Sequence, residues 1–123
     1  MQNLVSKKEE EERRLKALAE YRILGTKPES CYDDITKIAA TTCNVPISLM
    51  TLVDKDKQWF KSKIGLQISE TRRDWSFCTH AIKENSPLII HDAFQDERFI
   101  NNPLVTGDPK IRFYAGFPLR NSD

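Results

Sequence analysis

Residues 46–65, PISLMTLVDKDKQWFKSKIG, decide the architecture. PISLMTLV, from Pro46 to Val53, is β-branched and mostly apolar, the pattern of a strand covered on both faces. DKDK at 54–57 is a polar turn, and QWFKSKIG at 58–65 follows with rough alternation. Strict alternation puts Trp59, Lys61 and Lys63 on one face and Phe60, Ser62 and Ile64 on the other. Two such runs around a short polar turn predict an antiparallel hairpin.

Upstream the period changes from two to nearly four. Residues 7–24 read as a helix with Glu9–Arg13, Glu10–Arg14 and Glu12–Lys16 in the favourable (i, i+4) order. Its apolar stripe, Leu15, Leu18, Ala19 and Tyr21, is narrow, and Gly25 is placed to stop it. A second helix is expected from about Pro28 to Cys43, with proline in the first turn. Cys31, Ile35, Ile38, Ala39 and Thr42 fall at helical spacing and predict the face that lies on a sheet. On that reading Cys31 and Cys43 pack at the two ends of the helix.

Downstream, residues 66–75 are of mixed polarity and read as a loop. Ser76 suits an N-cap for a short helix over 77–84, ended by Asn85, Ser86 and Pro87. Leu88–His91 is a short strand. Residues 92–110 hold two prolines, a glycine and three aspartates, so a long connection with short helical turns is expected. A connection of that length in a small domain tends to be functional. Residues 111–120 read as the last strand, with Gly116 marking a bulge or a close backbone approach. The final Asn121-Ser122-Asp123 is turn chemistry, and a strand entering a turn predicts a partner strand.

At 123 residues, with 39% hydrophobic and 30% charged residues, one globular domain is expected. A net charge of +1 provides no field to gather nucleic acid or anionic membrane. No apolar run approaches the roughly 20 residues of a membrane span, and MQNLVSKKEEEERR lacks a secretory signal's apolar stretch. Three widely spaced cysteines fit reduced thiols, so a cytoplasmic location is expected.

LAEYRIL (18–24), the segment 32–66, SFCTHAI (76–82), LIIHDAFQDERFINNPLV (88–105) and IRFYAGFPLR (111–120) occur in an order that resembles a GAF domain. The variety is that of bacterial sensor histidine kinases and diguanylate cyclases. The resemblance implies an α+β fold, an antiparallel sheet with N-terminal helices on one face and a pocket walled by loops and helix on the other. It divides the chain into a signalling or linker helix, 1–24, and a GAF-like domain, 25–123. Domains of the family continue with a further strand and a C-terminal helix. Without that strand, two half-sheets with unpaired edges are expected. Either the chain is a shortened piece of a longer protein, or a second copy completes the pairing.

Cys78 and His80 are the most chemically suggestive pair. Two histidines and no Cys-x-x-Cys do not make the three or four ligands of a metal site. In the bilin-binding relatives the attachment cysteine is followed directly by histidine, whereas Thr79 intervenes here, so no pigment and no other cofactor is expected. On a helix, positions 78 and 80 point about 200° apart and cannot both face one ligand. A family branch reduces free methionine sulfoxide with a reactive cysteine, which needs a resolving partner. The plainer reading packs Phe77, Cys78, Ala81 and Ile82 on the sheet, with His80 holding a neighbouring loop. In the resembled fold this region walls a small-molecule pocket. Trp75, Phe77, Phe94 and Tyr114 are then candidate lining residues, and Cys78, His80, Asp92 and Arg98 candidate contacts. Asp92 and Asp96 equally suit turn caps, and Arg98 an ion pair with Asp96. The function implied is a non-catalytic sensory module that binds a small cytoplasmic ligand or a partner and signals to an output domain through its terminal helices. A ligand-free homodimerisation module and the sulfoxide reductase are the alternatives.

Overall fold

The computed structural model describes residues 4–83 and 86–120. The chain divides into two compact units, one ending at Thr71 and the other beginning at Arg72.

In the first unit, α1 spans Leu4–Tyr21 and α2 spans Ser30–Cys43. β1 (Ser48–Val53) and β2 (Lys57–Ile64) form the expected antiparallel hairpin, and β3 (Glu70–Arg72) adds to β2, giving the order β1-β2-β3. α1 stops at Tyr21, three residues earlier than expected, where Arg22 takes a left-handed backbone (φ 51°). Within α1 Arg14 pairs with Glu11, one turn apart, and also donates to the Val53 carbonyl at 2.6 Å. Gly65 turns the chain after β2 at φ +88°, and a Cβ there would collide with the Pro46 carbonyl oxygen.

Two readings of this unit are corrected. The register runs Met50↔Ser62 and then Thr51↔Phe60, leaving Lys61 as the extra residue of a β-bulge. The bulge breaks alternation, so Phe60, Lys61 and Ser62 are all buried. A sheet face carrying a lysine and a serine cannot take an apolar helix stripe without stranding those groups. α2 accordingly presents Tyr32, Asp33, Thr36 and Ala40 inward, with Thr36 fully buried. Its apolar stripe faces away: Ile35 is 54% and Ile38 64% exposed, and Cys31, Ala39, Thr42 and Cys43 are exposed too. The second correction is β3, which lies where a loop was expected. Its inward residue is Thr71, whose hydroxyl accepts from Gln58 Nε2 at 2.7 Å.

In the second unit a 3-10 turn (Arg73–Trp75) leads to α3 (Cys78–Ala81), β4 (Leu88–Ile90), a 3-10 turn (Ala93–Gln95), α4 (Pro103–Thr106) and β5 (Tyr114–Gly116). Ser76 caps as expected, its Oγ accepting from the Thr79 N–H at 3.1 Å. The helix is shorter than the expected 77–84, ending at Ala81 with Ile82 as its C-cap; the expected stop at Asn85 and the terminal turn at 121–123 lie outside the described residues. β4 and β5 pair antiparallel as a separate two-stranded sheet. β5 is shorter than the expected 111–120 strand; Ile111 instead donates its N–H to the Leu104 carbonyl. The core of this unit is Phe77, Ile90, Ala93, Phe99, Leu104 and Val105, with Trp75, Leu88, Ile111 and Tyr114 packed against it.

Candidate functional site

All eight residues singled out from the sequence fall in the second unit, but they have different surroundings. Phe77 is a core residue, stacked on Phe99 with ring centroids 4.2 Å apart and planes 9° apart. Both rings are essentially inaccessible, so Phe77 shapes the site from beneath. Four residues around that stack are half-buried: Trp75, Cys78, His80 and Tyr114. The Tyr114 ring tilts against Phe77 at 5.1 Å, and its hydroxyl donates to Cys78 Sγ at 3.2 Å. His80 meets Phe99 edge-on at 5.0 Å. Cys78 and His80 thus engage different partners, as their helical spacing requires.

Tyr114 reaches Cys78 because Gly116 has no side chain. A Cβ at Gly116 would overlap the Tyr114 hydroxyl and ring, which is the close approach expected there. Burial pushes the Tyr114 phenol far above its usual range, with repulsion from Cys78 adding to it. The hydroxyl therefore stays protonated and serves as a donor. Burial, then Lys83 and Arg98, holds His80 below the usual histidine range, outweighing the opposing pull of Asp96. The imidazole is uncharged at neutral pH and offers one donor and one acceptor.

The other candidates take local roles. Asp92 Oδ1 accepts from the Phe94 N–H at 3.0 Å and caps the 3-10 turn. Arg98 grips Asp96 with two parallel bonds, 3.0 and 2.8 Å, and its guanidinium sits 5.2 Å from the Phe99 ring. That hydrogen-bonded pairing depresses the Asp96 carboxyl. Phe94 is 48% exposed, with the Arg112 guanidinium 4.7 Å from its ring.

Sequence reading missed Asn102. Its Oδ1 caps α4 by accepting from the Leu104 N–H at 2.8 Å, and its Nδ2 donates to the Trp75 carbonyl at 3.0 Å. One side chain therefore fastens the Trp75 turn to the 92–110 connection. Asn-Pro ahead of a short apolar run is a helix-start signal and was its available clue. Also missed was a polar cluster in the first unit. Ser62 Oγ donates to Asp33 Oδ1 at 2.5 Å and lies 2.7 Å from Thr36 Oγ1, which also donates to the Asp33 carbonyl at 3.0 Å. A cleft of about 370 Å³ opens beside it, lined by Pro28, Lys37, Phe60 and Ile64 among others. The Asp33, Thr36 and Ser62 side chains of its floor bond to one another, the arrangement of a structural network.

Among the described residues no group of three or more histidine, cysteine or acidic side chains is placed to hold a metal, and no helix is long and apolar enough to cross a membrane.

The chain is α+β, and its second unit gathers a small aromatic cluster beneath four half-buried side chains of mixed chemistry. Residues 27–123 match the GAF domain family, and the chain belongs to that family. GAF domains are typically regulatory modules. The chain is also similar to a cyclic di-GMP phosphodiesterase of Pseudomonas aeruginosa, 36% identical over 115 residues. The match covers 94% of this chain and 20% of that protein, so the chain spans about a fifth of the relative's length.

Proposed function

We propose that the chain is a non-catalytic sensory module of a bacterial signalling protein, binding a small molecule at the half-buried shell of Trp75, Cys78, His80 and Tyr114. Phe94, Arg98 and Asp92 would stand at the rim. The observation that carries this reading is the shell itself. Aromatic surface, an uncharged imidazole and a thiol–phenol pair are gathered over a rigid Phe77–Phe99 stack. Such a surface can bury an apolar body and orient a few polar atoms. The ligand would act by population shift, favouring one arrangement of the 73–82 and 92–114 segments through its differential affinity. The change would pass through the terminal helices to an output domain in the cytoplasm. The similarity to a cyclic di-GMP phosphodiesterase supports cyclic-dinucleotide turnover as the pathway, ahead of a histidine kinase output.

The thiol reductase reading is weaker, because Cys78 is the only cysteine between residues 72 and 123. Disulfide-based turnover needs a second thiol close by. The homodimer reading has one supporting observation, the outward apolar stripe of Ile35 and Ile38 on α2. It is compatible with ligand binding by the other unit.

A thermal-shift screen of dialysed protein against nucleotides and metabolites tests the proposal. A ligand at about 100 times its Kd adds roughly 2.7 kcal/mol to stability, a rise of several degrees. The rise should disappear in Trp75→Ala and His80→Ala. A broad panel without a hit, in protein that dimerises with concentration, would replace the sensory reading with the dimerisation one.

A further inference from the structure

Lys61 lies outside the shell proposed as the ligand site; it lines the cleft of the first unit and is the most completely buried charge among the described residues. Its side chain is fully inaccessible. The ammonium donates to Lys27 O at 2.6 Å and Thr26 Oγ1 at 2.7 Å, and pairs with Glu29 Oε2 at 2.6 Å. The Tyr32 ring lies 5.4 Å away. An ammonium has three protons, and three oxygens meet them here.

All three oxygens lie in one short segment, Thr26 to Glu29. That segment joins α1 to α2 and has no regular structure of its own. Among the described residues, the hydrogen bonds tying it to the sheet are those of Lys61. Its remaining bonds are local: the Thr26 N–H and hydroxyl both donate to Ile23 O, and Glu29 O accepts from the Tyr32 and Asp33 N–H groups. Glu29 stands at the α2 N-cap position without capping through its side chain, which turns to Lys61 instead. Lys61 reaches inward only because it is the bulge residue of β2. Bulges that redirect a side chain are a recurrent device near working parts of proteins.

We infer that Lys61 is a latch: a buried ammonium on β2 that fixes the α1–α2 connection to the sheet. In a module that signals through its terminal helix, this couples the C-terminal end of α1 to β2, beside the Arg14–Val53 bond that ties the same helix to the end of β1. That functional consequence rests on the sensory reading proposed above; the latch itself does not. When the ammonium is removed the Thr26 hydroxyl, Lys27 carbonyl and Glu29 carboxylate can turn to water, because Glu29 is already 53% exposed. The connection is released while the sheet keeps its own hydrogen bonds.

Hydrogen exchange on this chain, without any ligand, tests the latch. Lys61→Met keeps most of the stem and removes the charge; Thr26→Ala and Glu29→Gln each weaken one of the three contacts and leave the buried lysine in place. Losing hydrogen bonds to a charged group should speed exchange within residues 22–30, read at the hydrogen-bonded Arg22 and Thr26 amides, by about 10- to 100-fold in Lys61→Met. Smaller increases are expected in Thr26→Ala and Glu29→Gln, with β1–β2 amides unchanged in both. Trypsin gives a second readout, since cleavage after Arg22 should accelerate in the same order. Lys61→Arg, which restores the charge, should recover part of the protection. Unchanged exchange at 22–30 in all three variants would overturn the latch. So would a uniform increase across the whole first unit in Thr26→Ala and Glu29→Gln, which would make Lys61 an ordinary core residue. A negative ligand screen, by contrast, would bear on the sensory reading and leave this result standing.

Discussion

Replacing Phe99 tests whether the candidate site is organised from beneath. Phe99 is 1% exposed, stacks on Phe77 at 4.2 Å, takes the edge of His80 at 5.0 Å and lies under the Arg98 guanidinium at 5.2 Å. Phe99→Ala removes a ring from a close-packed cluster, which costs about 3–5 kcal/mol through lost transfer energy and the cavity left behind. Phe99→Leu keeps much of the burial and loses the aromatic contacts, at about 1–2 kcal/mol. With a urea m-value of about 2 kcal/mol per M, the midpoints should fall by about 2 M and about 0.5–1 M. The two tryptophans lie in different units, so a Trp59→Phe background leaves Trp75 as the fluorescence reporter of the second unit. The same substitution should let the His80 imidazole move up toward 6.5, because burial is the main cause of its depression. An alanine variant with an unchanged midpoint would refute the packing argument. A leucine variant as unstable as the alanine one would show that the aromatic contacts, and not burial, dominate.

Other expectations are narrower. Gly65→Ala places a Cβ against the Pro46 carbonyl at φ +88°, and should cost about 2–4 kcal/mol from left-handed strain and overpacking, read as a lower melting temperature. Gly116→Ala should push Tyr114 off Cys78 and destabilise by about 1–3 kcal/mol, with Tyr114→Phe costing about 0.5–1.5 kcal/mol; chemical denaturation separates the two. His80 is depressed in the folded state, so between its folded pKa and 6.5 the unfolded chain binds more protons. Its contribution is therefore complete above about pH 6.5 and lost on acidification through that window. Asp96, also depressed, contributes above its ordinary value of 3.8 and loses that contribution as pH falls through its folded pKa. A pH series of melting temperatures for wild type, His80→Gln and Asp96→Asn resolves both, and an acid-side slope unchanged in His80→Gln would contradict the first.

The hairpin, both long helices, the Ser76 cap and the Gly116 close approach were legible because each follows from local chemistry. What escaped was tertiary. Nothing in QWFKSKIG signals that Lys61 is a bulge residue; alternation alone sends it outward. The face of α2 was misjudged for the same reason, since the inward choice of Thr36 and Asp33 answers polar groups across the interface and not its own apolar period. β3 was hidden because Glu70-Thr71-Arg72 is an edge strand with one inward residue, and that residue is a threonine. In the second unit, sequence proposed eight site residues without ranking them. The structure separates Phe77 as core, Asp92 as a cap, Phe94 as an exposed ring beside Arg112 and Arg98 as a partner of Asp96 from the four half-buried residues above the stack.

The two indoles also supply the most direct test of the sensory site. In a ¹⁵N-labelled sample titrated with a compound that raises the melting temperature, the Trp75 indole N–H should shift along a saturating curve that is half complete at the Kd, while that of Trp59 stays in place. A stabilising compound that moves Trp59 and leaves Trp75 untouched would contradict binding at this shell.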